Sequence, residues 1–282
     1  MKRTITLFIS VTLFFLYFIS CKNKDVQPNS STVLKSISTD LVSLKGNSKS
    51  KTVCTYTGSD IIKMTSVDSS FSGQTVDVST STFNYTYTNK ILTKLTSDSK
   101  SKTFSSQTET NIIKTGNIYD ITSKLGTAQI ITQIEVNADD QIIKYKELKT
   151  IIQDLKGVPI VTAGKTIMRY EYNTKGNLIK VYTNQNAPKE YLFVEMIYDA
   201  NPNVYGALKW ALSGRIGNTL PLGESKNNPT TIKSYTSSGV LNDSYTNTYV
   251  YDKNTAYPVL ATWINKGSNG QPFSTYKYTF VY

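Results

Sequence analysis

Between Lys165 and Thr183 (KTIMRYEYNTKGNLIKVYT) the side chains alternate with a period of two, break, and alternate again. Thr166, Met168, Tyr170 and Tyr172 fall on one face, and Lys165, Ile167, Arg169 and Glu171 on the other. That period lays a chain into a pleated strand with two unlike faces. Asn173 to Asn177 interrupts it, and Gly176 supplies a residue that takes positive φ at little cost, so the chain reverses there. Leu178, Lys180 and Tyr182, alternating with Ile179 and Val181, carry the return strand. The stretch is a β-hairpin.

Weaker copies recur. Glu135 to Lys144 aligns without a gap on Glu171 to Lys180, with Asp140 where the second copy has Gly176. Tyr85 to Leu95 and Tyr249 to Leu260 repeat the same grammar: an aromatic or β-branched pair, an Asn or Asp, a polar turn, an aliphatic pair. Their irregular spacing does not fit a solenoid of fixed period. With 20 Tyr and 10 Phe, and abundant Thr and Ser, the composition fits half-buried strands better than helices. The expected fold is all-β, a long antiparallel meander of hairpins forming a curved sheet or a partly open barrel. One segment breaks the rhythm, and a short helix or irregular loop is expected near 203–213, around Tyr205 to Leu212.

At the amino terminus Lys2 and Arg3 precede an uncharged apolar run from Thr4 to Ser20, which describes an export signal. The run ends Phe18-Ile19-Ser20-Cys21, and this resembles the lipobox of bacterial lipoproteins, in which the Cys is acylated and becomes the first residue. Three parts follow: a lipoprotein signal peptide over 1–20, a polar tether over 21–31, and a single β domain over 32–282. Lys22 directly after Cys21 resembles lipoproteins sent on to the outer membrane, with the periplasmic or cell-surface face undecided. Cys54 is then left without an intramolecular partner and reads as a small buried hydrophobe.

Without residues 1–20 the chain keeps 29 basic and 20 acidic residues, a net +9. The lysines are spread singly through strands, which describes a solvated strand face and argues against a nucleic-acid partner. The chain contains no His, so neither Ser-His-Asp nor Cys-His catalysis is available, nor the usual nitrogen ligation of zinc. Asp139, Asp140, Asp199, Glu195, Glu224 and Asp252 are carboxylates that a glycosidase could use, yet no spacing selects a pair. Asp199-x-Asn201-x-Asn203 places oxygens at alternate positions as calcium loops do, but Val204 and Trp210 stand where such a loop needs Gly and Glu. No cofactor, metal or catalytic residue is expected.

Tyr205, Trp210, Tyr257 and Trp263 lie in the segments least like plain strand. Flat amphipathic rings stack on sugars, so these four are the candidate ligand-binding residues, against cross-strand pairing and core filling. Of the two tryptophans, Trp263 follows Val259-Leu260-Ala261 and is the one expected in the core.

Several short motifs together resemble a known family: Tyr198-Asp199-Ala200-Asn201-Pro202, Tyr205-Gly206, Asn227-Asn228-Pro229 and the unit from Tyr251 to Pro258. The chain from Lys165 to Tyr282 is similar to Bacteroidetes lipoproteins carrying a domain of unknown function described as porin-like in fold. The hairpins also resemble the tyrosine-aspartate repeats of large secreted toxin shells, without the regular glycines of those repeats. The first resemblance implies a β architecture in the cell envelope and brings no catalytic residues. The function expected is a lipid-anchored, non-enzymatic envelope protein, a binding or structural module attached to the membrane through Cys21. The alternatives are an open-barrel carrier of a lipid or other apolar ligand, and a carbohydrate-binding or carbohydrate-active protein.

Overall fold

The computed structural model describes residues 34–282 apart from 44–45, 59, 73–74, 154–156, 186 and 204–224. The signal, Cys21 and the whole tether therefore lie outside the described residues, as does the expected helix or loop beyond Asn203.

Seventeen strands follow one another. They are β1 (Ser36–Ser43), β2 (Gly46–Thr57), β3 (Asp60–Ser72), β4 (Thr75–Thr88), β5 (Ile91–Lys100), β6 (Ser105–Thr115), β7 (Ile118–Leu125), β8 (Ala128–Val136) and β9 (Ile142–Gln153). The second half holds β10 (Pro159–Ala163), β11 (Ile167–Tyr172), β12 (Leu178–Thr183), β13 (Tyr191–Pro202), β14 (Asn227–Tyr235), β15 (Leu241–Tyr251), β16 (Pro258–Gly267) and β17 (Pro272–Val281). Each pairs antiparallel with the next, except that β9 pairs with both β10 and β11. The last strand returns to the first, with Ile37 opposite Phe280 and Leu41 opposite Tyr276. Sixteen strands thus close a barrel, and β10 stands beside the ring. The meander read from the sequence is present, and it closes.

The hairpins form where the sequence places them. Met168 pairs with Thr183 and Tyr170 with Val181, and the amides of Lys175 and Asn177 donate to the Asn173 carboxamide oxygen within the turn. Gly176 has φ +78°, and Asp140, its counterpart in the earlier copy, has φ +61°. The second turn closes in the same way, with the amides of Asp139 and Gln141 donating to Asn137 Oδ1. Asp140 holds its strained conformation through an ion pair with Lys114 at 3.0 Å and a bond from the Tyr119 hydroxyl at 3.1 Å.

Several inner-face tyrosines at strand ends share a structural role. The Tyr172 hydroxyl donates to the Ile142 carbonyl at 2.9 Å, reaching from the end of β11 to the start of β9. Tyr198 reaches Leu178, Tyr249 reaches Pro229 at 2.9 Å, and Tyr282 reaches Pro258 at 3.0 Å. Tyr56 does the same to the Leu34 carbonyl at 2.8 Å, just ahead of β1. Each ring lies along the inner face while its hydroxyl satisfies a carbonyl at one rim, which contributes about 0.5–1.5 kcal/mol per bond.

Gly176 is expected to be intolerant of β-branching. A Cβ there meets only the Lys226 side chain, at 3.0 Å, and that flexible chain yields, so backbone conformation sets the penalty. Gly176→Val is expected to cost about 1–2 kcal/mol and Gly176→Asn less, because Asn tolerates positive φ. Urea melts of the two variants check this, and equal stability of both with the parent would refute it.

Candidate functional site

The pleat sorts the side chains by face. On β2, Thr52 and Cys54 are buried inside, while Lys49, Lys51, Val53 and Thr55 are exposed outside. On β9, Tyr145 faces in, and Lys144 and Lys146 face out. Across the barrel the outer face carries Lys63, Lys94, Arg169, Lys180, Lys233 and Lys277 beside Asp40, Glu109, Glu171 and Glu195. Outer ion pairs run Lys94 to Glu109 at 2.8 Å and Arg169 to Glu190 at 2.9 Å, with Arg169 also bridged to Glu171 and stacked over Tyr182. A transmembrane barrel alternates the other way, apolar outward and polar inward, and a Lys or Arg on its lipid face costs about 2–4 kcal/mol at mid-depth. The same outer wall also exposes Val53, Ile113, Ile197 and Val250, so charged and apolar side chains are interspersed on it.

The inner wall changes character along the barrel. At the rim of the tyrosine bonds, Leu34, Ile61, Leu92, Ile142 and Leu178 are sealed from solvent. Above them runs a belt of hydroxyls. Thr52 bonds Ser66 at 3.2 Å, Ser81 bonds Ser99 at 2.8 Å, and Thr110 bonds Ser123 at 3.0 Å. Toward the opposite rim, inward-facing Leu125 and Ile130 are 50% and 42% exposed, so the interior opens on that side. Inward-facing carboxylates are Asp77 and Asp243 toward that rim, and Asp68 and Glu147 deeper in the wall. The inner face is therefore not the unbroken apolar lining that an apolar-ligand carrier requires.

The sealed rim is pinned by a polar lock of motif residues. Asn177 and Asn227 exchange two bonds, Nδ2 of Asn177 to Oδ1 of Asn227 at 2.8 Å and the Asn227 amide to Oδ1 of Asn177 at 2.9 Å. Asn228 is fully buried and donates to the Pro202 carbonyl at 2.8 Å. Asp199 accepts from the amides of Asn201 and Asn228 and from the Tyr251 hydroxyl. The Asp199 carboxylate is thus occupied in holding two chain segments together, with an Asx-turn to Asn201. Ser225 completes the lock, accepting from the Leu178 amide at 3.0 Å and donating to the Tyr198 hydroxyl at 2.8 Å. The sequence offered Tyr198, Asp199, Asn227, Asn228 and Tyr251 within motifs and Asn177 as a turn residue, passed over Ser225, and left to the fold what they share.

Of the four candidate aromatics, Trp263 and Tyr257 are among the described residues, and each packs on different rings. Trp263 is 5% exposed on the inner wall of β16, between Tyr245 and Tyr278, whose rings meet it edge-on at 6.3 and 5.5 Å. Tyr257 is half-buried at the sealed rim and packs on Tyr282, with ring centroids 5.4 Å apart. Tyr205 and Trp210 lie outside the described residues, as does Cys21. Of the carboxylate candidates, Asp139, Asp140 and Asp252 sit in turns, and Glu195 on the outer wall takes the Tyr235 hydroxyl. Glu224 lies outside the described residues. Among the described residues no group of three or more His, Cys, Asp and Glu could hold a metal ion. Burial pushes the Cys54 thiol up to about 12, which leaves it protonated and inert at neutral pH.

The barrel is similar in fold to a porin-like protein from Bacteroides uniformis, at 13% identity and a TM-score of 0.50, over 90% of this chain and 99% of that one. A porin-like protein from Bacteroides vulgatus aligns over 89% of this chain and 98% of that one, at 13% identity and a TM-score of 0.40. No family model matches the chain. No curated protein matches it. The likeness is one of fold, and the porin-like fold implied by the sequence motifs is the fold found.

Two expectations follow from the inner wall. The Trp263 indole N–H finds no partner among the described residues, so the ring contributes by packing alone. Trp263→Ala is expected to cost about 3–5 kcal/mol and Trp263→Phe much less. Thermal melts check this, and a tolerated alanine would show the ring to be surface.

Burial raises the Asp68 carboxyl from 3.8 to about 6, against the lowering effect of the Ser66 hydroxyl bond. Its contribution to stability is present below the unfolded value and is lost as pH rises through about 6. Asp68→Asn is therefore expected to be more stable than the parent above pH 6, by on the order of 1 kcal/mol once solvent screening of this half-buried group is allowed for, with the gain vanishing near pH 3.5. Urea midpoints across pH measure it, and a pH-independent difference would refute the assignment.

Proposed function

We propose that this protein is a non-enzymatic binding or structural module of the outer membrane, tethered by lipid on Cys21, whose barrel stands in water rather than spanning the bilayer. One observation carries the reading: the direction of the pleat, with Lys51, Lys63, Lys146 and Arg169 outward and Cys54, Met64, Tyr145 and Met168 inward. Outward Val53, Ile113 and Val250 are interrupted by these charged groups, which makes the wall a poor lipid-facing band, and in this reading membrane attachment falls to the Cys of the lipobox-like Phe18-Ile19-Ser20-Cys21. The non-enzymatic part rests on the absence of His from the chain and on the commitment of Asp199, Asp140 and Asp252 to turn and lock hydrogen bonds. The fold likeness to a porin-like protein of Bacteroides agrees with an envelope setting.

The test is fractionation in the native host. The parent is expected in the membrane fraction, with an intact mass that begins at an acylated Cys21. A version exported by a signal lacking the lipobox and carrying Cys21→Ala is expected in the soluble fraction. Retention of that version in membranes after an alkaline wash would mean that the barrel itself inserts, and the proposal would fall.

A further inference from the structure

The one strand outside the ring, β10, has a bare edge. Among the described residues Pro159–Ala163 pairs with β9 alone, from Pro159 opposite Gln153 to Ala163 opposite Lys149. Its other side rises past the end of β12, which stops at Thr183. The register says which main-chain groups are free. The Gly164 amide bonds the Leu148 carbonyl directly opposite it at 2.9 Å, so Gly164, Thr162 and Ile160 turn their main-chain groups toward β9. The carbonyl of Pro159 and both groups of Val161 and Ala163 then point away. Pro159 fits this phase, because its missing N–H falls on the side with no partner strand.

Natural sheet edges are guarded by short length, proline, charge, bulges or cover, and of these β10 has its five residues and Pro159. From Val158 to Ala163 there is no charged residue, and Val158, Ile160 and Val161 are 55%, 55% and 60% exposed. Ile160 adjoins Ile152, itself exposed, so the apolar surface runs onto β9. A bare antiparallel edge with apolar flanks is complementary to another extended strand.

We propose that β10 pairs with β10 of a second copy of this chain, antiparallel about Val161. In that register Val161 exchanges two hydrogen bonds with Val161 of the other copy. Each Ala163 amide meets the opposite Pro159 carbonyl. The missing proline N–H leaves only the two Ala163 carbonyls outside the ladder. The strand is uncharged, so the contact itself sets no like charges together, and its short length makes for a weak, reversible dimer. The net +9 of the chain without residues 1–20 opposes association at long range, so added salt strengthens the dimer. This inference rests on β10 and stands or falls apart from lipid anchoring.

Sedimentation of the full chain over a range of concentrations and salt tests it. A reversible dimer favoured by salt is expected. Val161→Pro removes an outward N–H without touching the β9 ladder, and it should weaken association at least tenfold at an unchanged melting temperature. Val161→Lys should do the same by charge, should the proline variant fold poorly. In Val161→Cys the two sulfurs meet at the dyad, where opposed Cα atoms of a hydrogen-bonded pair lie about 5.5 Å apart, within disulfide reach. Oxidation or a short bis-maleimide should link that variant into dimers while Val250→Cys, exposed on β15, stays single. A monomer at every concentration, or association indifferent to both Val161 substitutions, would overturn the proposal.

Discussion

The ladder between β1 and β17, from Ser36 opposite Val281 to Ser43 opposite Ser274, joins the two ends of the described chain. A meander left open would present two long edges and one face of a sheet whose apolar residues had nowhere to go. The seam removes those edges and closes the inner face on itself. Ile37, Leu41, Tyr276, Tyr278 and Phe280 then point inward along the join, while Asp40 stands opposite Lys277 outside. Every burial described above, from Ile61 to Trp263, presupposes that closure.

The same period-two alternation that fills the inside dresses the outside. With Met64, Tyr85, Ile121 and Val181 inward, the intervening Lys63, Asn84, Asp120 and Lys180 must face out, because pleat geometry allows nothing else. A one-residue slip of register would reverse the faces and turn the charged side chains into the interior. The register therefore decides which set of side chains is enclosed, and it is held by the cross-strand pairs and by the turns.

The two rims differ physically. One is tied by tyrosine hydroxyls reaching the carbonyls of neighbouring strands and by the lock of Asn177, Asn227, Asn228 and Asp199. These groups are shielded from water, so each bond left unmade would cost more than each made bond contributes. The other rim carries exposed Leu125 and Ile130, inward carboxylates and the projecting β9–β10 hairpin. Binding, where it occurs, has the open rim and its bare edge to work with.

The sequence by itself determined the strands, the hairpin turns and the all-β class, because alternation and turn chemistry act between residues a few positions apart. Gly176 and Asp140 were legible as turn residues for that reason, and Trp263 as core from its apolar neighbours on β16. The five residues of β10 were not legible, being too short to show a period. The shared role of Asp199, Asn228 and Tyr251 was hidden too, since they meet only when β13, β14 and β15 lie side by side. Tertiary structure alone decided that the sheet closes, which face turns inward, and that among the described residues one strand, β10, is paired on a single side. Those outcomes depend on pairing between the chain's two ends and on the summed burial of one face, which no local stretch contains.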